Sequence, residues 1–219
     1  MANKLSQNVP SYAKPLVDTL GDGYRYSPAE MFRYFLSAVM EVWGFVPWYP
    51  TPVEARARII ESIGCYDNLV AKEEPFMDIL GAVYAALSSK GGKQLLGQYF
   101  TPWNLALMMA KLNPDPNTAG QGLKEIAAPA RGSGGLLLAK ANQILETHGS
   151  SELCKWKFYG CDLDAICARV TAIQLAANCA VHRVEIGEIL IVQGNTLATS
   201  ESKQVILHAS SPQRLALAS

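Results

Sequence analysis

Lys124-Glu125-Ile126-Ala127-Ala128-Pro129-Ala130-Arg131-Gly132-Ser133-Gly134-Gly135 is the stretch on which the fold turns. Its first five residues are a short apolar strand candidate, the next seven a glycine-rich loop, and Gly135 to about Thr147 reads as a helix. Working outward, Leu105 to Leu112 reads as a helix opened by Thr101-Pro102. Lys157 to Cys161 is a second strand candidate. Asp164 to Cys179 is a helix with Ile166, Val170, Ile173, Leu175 and Ala176 available for burial, and Glu188 to Val192 is a third strand. A last strand is expected at Val205-Ile206-Leu207. Strand, helix, strand, helix, strand implies right-handed crossovers and a parallel sheet, an α/β unit.

Upstream the pattern is helical. Ser27-Pro28-Ala29-Glu30 combines a capping Ser, a Pro at the first helical position and a Glu that can reach back. The helix after it places Met31, Phe35, Ala38, Val39 and Val42 on one face and should stop near Gly44. Thr51-Pro52-Val53-Glu54 repeats the start signal, and that helix is expected to end at Gly64. A third helix is expected from Pro75 to about Ser89, with Phe76, Ile79, Leu80, Val83 and Leu87 inward. This region reads as a helical packing domain with nothing catalytic in it. Ser88-Ser89-Lys90-Gly91-Gly92 is the clearest break in composition. The expected division is a helical domain over 1–90 and an α/β domain over 91–219.

The bulk properties bound the function. The 219 residues are 49% hydrophobic and 17% charged, which fits a globular protein with a core. Lys plus Arg is 19 and Asp plus Glu is 19, so the strongly basic charge of a protein that binds DNA unaided is missing. DNA affinity would then need a local basic face or a partner subunit. The cysteines at 65, 154, 161, 167 and 179 form no Cys-x-x-Cys pair, so no metal site is expected. An odd, scattered set of cysteines suits a reducing cytoplasm. The first twenty residues lack the apolar core of a signal peptide, and no run of eighteen apolar residues suggests a membrane span.

Two features carry chemistry on their own. Glycines at 132, 134 and 135 let a backbone approach a ligand closely, and amides at the following helix start can receive a polar group. A tight strand-to-helix turn would need the same residues. The Gly-Lys-Ser/Thr ending of a P-loop is absent. Asp162, at the end of the second strand, is where nucleoside-binding Rossmann folds place the acid that holds the ribose hydroxyls. Asp164, just before the next helix, suits a cap instead.

A third feature, Gly97-Gln98-Tyr99-Phe100-Thr101-Pro102-Trp103, lies before the first strand. With the other two it resembles the modification subunits of type I restriction-modification systems and related adenine-specific DNA methylases. Those carry Gln-Tyr-Phe-Thr-Pro, an Asp-Pro-Ala-x-Gly-Ser-Gly-Gly loop, an acidic strand end, Gly-Asn/Asp-Thr-Leu, then Asn-Pro-Pro-Phe. Here the order is Gln98 to Pro102, Ala128 to Gly135, Asp162, then Gly194-Asn195-Thr196-Leu197. The resemblance covers roughly Gly97 to Leu197. It implies a partial Rossmann-like methyltransferase domain that binds S-adenosylmethionine (SAM). Gln98, Tyr99, Phe100, Thr101, Pro102 and Trp103 would close over the methionine end of the cofactor. Gly132, Ser133 and Gly134 would pass beneath it, Asp162 would hold the ribose and Asn195 would lie near the adenine ring.

Two departures qualify the implied activity. The family's loop acid is replaced by Ala128. No Asn-Pro-Pro-Phe or Asp-Pro-Pro-Tyr occurs; where it should follow the last strand, the chain reads His208-Ala209-Ser210-Ser211-Pro212-Gln213. That motif holds the flipped adenine, so no catalytic residue is assigned and the target-base half is expected to be missing. The implied activity is adenine-specific DNA methylation, impaired in this chain alone. The rivals are a noncatalytic remnant or decoy that occupies a restriction-modification partner, and a SAM-dependent enzyme with another substrate. DNA is expected only through partner subunits, with a specificity or modification subunit or a second copy as the partner.

Overall fold

The computed structural model describes residues 9–21, 25–88, 100–113, 124–129, 132–197 and 203–212. They form eight α-helices and four strands. The chain separates into two compact units, Met1–Glu74 with Ile79–Tyr99, and Pro75–Asp78 with Phe100–Ser219.

The first unit is helical. Its helices are α1 (Lys14–Gly21), α2 (Pro28–Val42), α3 (Arg56–Lys72, entered through a 3-10 turn at Val53–Ala55) and α4 (Ile79–Leu87). Ser27 caps α2 in a full capping box: its side chain accepts from the Glu30 amide, and Glu30 accepts from the Ser27 amide at 2.9 Å. α2 stops as expected at Gly44, whose φ of +87° only glycine adopts readily. There the Gly44 amide donates to Glu41 and the Phe45 amide to Met40, which satisfies the last carbonyls of the helix. The core is aromatic and aliphatic. Phe32 stacks on Tyr84 at 5.5 Å and Phe35 meets Tyr66 edge-on at 5.8 Å.

Three expectations in this unit are corrected. Met31, Phe35 and Val39 are buried, but Val42 is exposed in the last turn of α2. α3 runs through Gly64 to Lys72, because Ile59, Ser62, Tyr66, Leu69 and Val70 keep one face buried across the glycine. A lone glycine costs a helix interior about 1 kcal/mol, less than that packing returns. The third helix begins at Ile79 rather than Pro75, since Phe76 adopts a left-handed φ of +67°.

The second unit is α/β. After α5 (Trp103–Leu112) come β1 (Lys124–Pro129), α6 (Gly135–His148), the short α7 (Ser150–Leu153) and β2 (Trp156–Asp162). They are followed by α8 (Ala165–His182), β3 (Glu188–Gln193) and β4 (Gln204–Ser210). The strand order is β1-β2-β3-β4. β1, β2 and β3 are parallel, so the sheet is mostly parallel, as the alternation of elements requires. Ile126, Phe158 and Ile189 stand in register on one face, and Phe158 and Ile189 are buried. α6 belongs to that side, because its Lys140 ammonium lies 5.5 Å from the Trp156 ring centroid. The other face carries ion pairs between neighbouring strands, Glu125 with Lys157 at 3.6 Å and Glu188 with His208 at 3.1 Å.

The last strand departs from a purely parallel sheet. β4 runs antiparallel to β3, with Glu188 beside Ser210 and Gln193 beside Gln204. Its carboxyl end therefore lies at the amino ends of the parallel strands. α8 is the one helix among the described residues long and apolar enough to cross a bilayer. It is the crossover between β2 and β3, and Val170, Ile173 and Leu175 are fully buried.

Candidate functional site

The carboxyl ends of the three parallel strands come level where Pro129 pairs with Cys161 and Cys161 with Val192. Asp162 is the last residue of β2 and ties together the loops that leave them. Its Oδ2 accepts from the Gly132 amide at 2.8 Å and its Oδ1 from the Asp164 amide at 2.9 Å. Its carbonyl accepts from the Gly194 amide at 2.8 Å. The Cys161 thiol donates to the Gly194 carbonyl at 3.3 Å. One aspartate thus joins the glycine loop, the start of α8 and the Gly194–Leu197 turn. Asp164 takes the capping role, its Oδ1 accepting from the Ile166 amide at 2.8 Å.

The glycines serve two different neighbours. At Gly132, φ is +56° and a Cβ would stand 2.8 Å from Phe100 Cδ1, so the Phe100 ring lies against the loop. At Gly134, φ is +86° and a Cβ would stand 2.6 Å from Thr171 on α8. The bare backbone at 134 is therefore filled by Thr171, whereas the bare backbone at 132 faces an aromatic ring.

The other expected residues fall in several places. Gln98 and Tyr99 lie outside the described residues. Phe100 and Thr101 are half-buried, Pro102 is exposed, and Trp103 opens α5 and packs beside Ala106, Ala110 and Ala139. Ser133 is buried, and its hydroxyl donates to Asp78 Oδ2 at 2.8 Å. Asn195 is exposed beside Gly194; its Oδ1 accepts from the Leu197 amide at 3.0 Å, which leaves the Nδ2 donor for a ligand. Asp78 is a site residue that sequence reading missed. Nothing near it in sequence signals a loop partner.

Arg169 supplies the fixed cation of this end. It is buried, and its guanidinium donates to the Ala165 carbonyl at 3.0 Å and to Gln193 Oε1 at 3.4 Å. Burial lowers its pKa to about 10, which still leaves it charged at neutral pH. Among the described residues no group of three or more His, Cys, Asp or Glu side chains gathers in a metal-binding arrangement.

The stand-in for the target-base block is far from all of this. β3 is six residues long, so its two ends are roughly 17 Å apart at about 3.3 Å per residue. Ser210 pairs with Glu188 at the far end. Ser211 there donates its amide to Gly187 at 3.0 Å and its hydroxyl to Glu185.

A mostly parallel sheet with a glycine loop after its first strand and an acid at the end of its second is consistent with a partial Rossmann-like methyltransferase fold. The family model for N-6 DNA methylases matches residues 76–211, well over half of the chain, and the chain belongs to that family. No curated protein and no solved structure matches it.

Proposed function

We propose that the chain is a SAM-binding, adenine-specific DNA methylase-like protein of the restriction-modification type, catalytically impaired by itself. The observation that carries this reading is Asp162. Each oxygen of an ionised carboxylate has two lone pairs. Asp162 commits one pair of each oxygen to a backbone amide, and the half-buried carboxylate retains the others for a ribose diol. Gly132 and Phe100 lie on one side of it and Asn195 beyond Gly194, an arrangement suited to an uncharged ribose and an adenine ring. SAM would bring the electrophilic methyl group on its sulfonium; these residues would bind and orient it.

The impaired half of the reading rests on β4. Because it turns back antiparallel on β3, Ser210-Ser211-Pro212 stands at the wrong end of the sheet to meet a methyl group held near Asp162. That favours the second reading as well, a noncatalytic methylase-like protein that pairs with modification or specificity subunits, or with a second copy, in a reducing cytoplasm. DNA would then be reached through the partner, in keeping with 19 basic and 19 acidic residues.

Calorimetric titration with SAM tests the cofactor assignment. Asp162→Ala should weaken binding roughly 10- to 100-fold, since a charge-assisted hydrogen bond contributes about 1.5–3 kcal/mol. Equal affinity in the variant and the parent would remove Asp162 from the ribose.

A further inference from the structure

Pro75–Asp78 belongs to the α/β unit, although the residues on both sides of it belong to the helical unit. Three buried amide side chains are committed to holding or meeting it. Asn142 on α6 donates to the Pro75 carbonyl at 3.0 Å, and Asn178 on α8 accepts from the Phe76 amide. Gln174 on α8 donates to Asp78 Oδ1 at 2.8 Å and to the Ser133 carbonyl at 3.2 Å. Phe76 is fully buried in a left-handed conformation that a bulky residue rarely adopts. The outcome of this anchoring is the position of one carboxylate. Asp78 is 6% exposed, its Oδ2 accepts from the Ser133 hydroxyl at 2.8 Å, and the same oxygen lies 3.0 Å from where a Cβ on Gly135 would stand.

Gly135 is the first residue of α6, a helix of 14 residues. In dinucleotide-binding Rossmann folds the positive end of this helix receives the pyrophosphate. Here a protein carboxylate already stands there. β1 ends in Ala128-Pro129 and brings no acid of its own to the loop. We propose that Asp78 is a positioning residue for the glycine loop, and that its carboxylate at the first turn of α6 presets the loop for a cationic nucleoside and closes it to a phosphate. A second anion beside a buried carboxylate is repelled in low dielectric, whereas the sulfonium and ammonium of SAM are attracted. This rests on reading the loop as a nucleoside site, and the test separates the two ideas.

Amide exchange at Gly132–Gly135 is measured on the ligand-free full chain, for the parent and Asp78→Asn. Calorimetry then compares SAM with ADP for both proteins. Loop exchange should quicken at least tenfold in the variant, and the ratio of SAM to ADP affinity should move at least tenfold toward ADP. Unchanged loop exchange overturns the positioning role; SAM and ADP weakened by one common factor overturns the charge selection. Should Asp78→Asn fail to fold, Ser133→Ala keeps the carboxylate and removes one bond to it. It should quicken loop exchange, and a parent chain that binds ADP as tightly as SAM counts against the charge. A parent chain that binds neither nucleoside defeats the nucleoside reading and the selectivity together, while loop exchange still decides the role of Asp78.

Discussion

At the scale of single residues, glycines with the same backbone angle do different work. Gly44 and Gly134 have φ of +87° and +86°, but a Cβ at 44 would meet nothing within 4 Å, whereas one at 134 would stand 2.6 Å from Thr171. Gly44→Ala should therefore carry only the left-handed strain, about 1–2 kcal/mol. Gly134→Val should add overpacking of about 1–3 kcal/mol against α8. Urea unfolding of the two variants should separate them by more than about 1 kcal/mol, and equal losses would mean that Thr171 moves aside freely. A loss of SAM binding in Gly134→Val would then report a disturbed turn as much as an obstructed ligand. Asp162 and Asp164 show that local reading succeeds where the chemistry is local: one closes a strand, and the other caps the helix two residues on.

Elements follow their sequence signals until packing overrules them. The capping box at Ser27 and the stop at Gly44 set the ends of α2 from within a few residues. Gly64 sends a stop signal that α3 ignores, because the buried face continues on both sides of it. Gly64 is exposed, and a Cβ there would have nothing within 4 Å. Gly64→Ala should raise stability by about 0.5–1 kcal/mol by restricting the unfolded chain, read as a higher melting temperature. A lower one would show that the helix needs the glycine. β4 is the opposite case. Val205-Ile206-Leu207 announces a strand, and Ile206 and Leu207 are buried, but periodicity carries no direction. Its antiparallel run fits the connection, since the ten residues between Gln193 and Gln204 are fewer than the dozen or so that a parallel crossover needs.

For the whole molecule the consequence is catalytic. The exocyclic amine of adenine is a weak nucleophile and needs acceptors placed beside the methyl donor. Unstacking a base costs a few kcal/mol that a pocket must offset. Ser210 and Ser211 stand roughly 17 Å along the sheet from Asp162, and Ser211 already bonds Gly187 and Glu185. The purified chain should transfer no methyl from labelled SAM to unmethylated DNA. Transfer that disappears in Asp162→Ala would show that other residues of the chain build the adenine pocket.

The order of blocks from Phe100 to Leu197 was enough to place a glycine loop, an acid and a Gly-Asn turn at one end of a parallel sheet. Each is a short local pattern attached to a strand end, and right-handed crossovers leave the strands little choice of arrangement. Three things came only with the tertiary structure. Asp78 reaches Ser133 across 55 positions and Gln174 across 96, separations that no spacing rule spans. Thr171 fills the space that a side chain at Gly134 would take, because helix packing chooses which neighbour a bare backbone meets. The residues in place of the target-base block lie at the far end of the sheet, because β4 turns back along β3 and an apolar run carries no direction of its own.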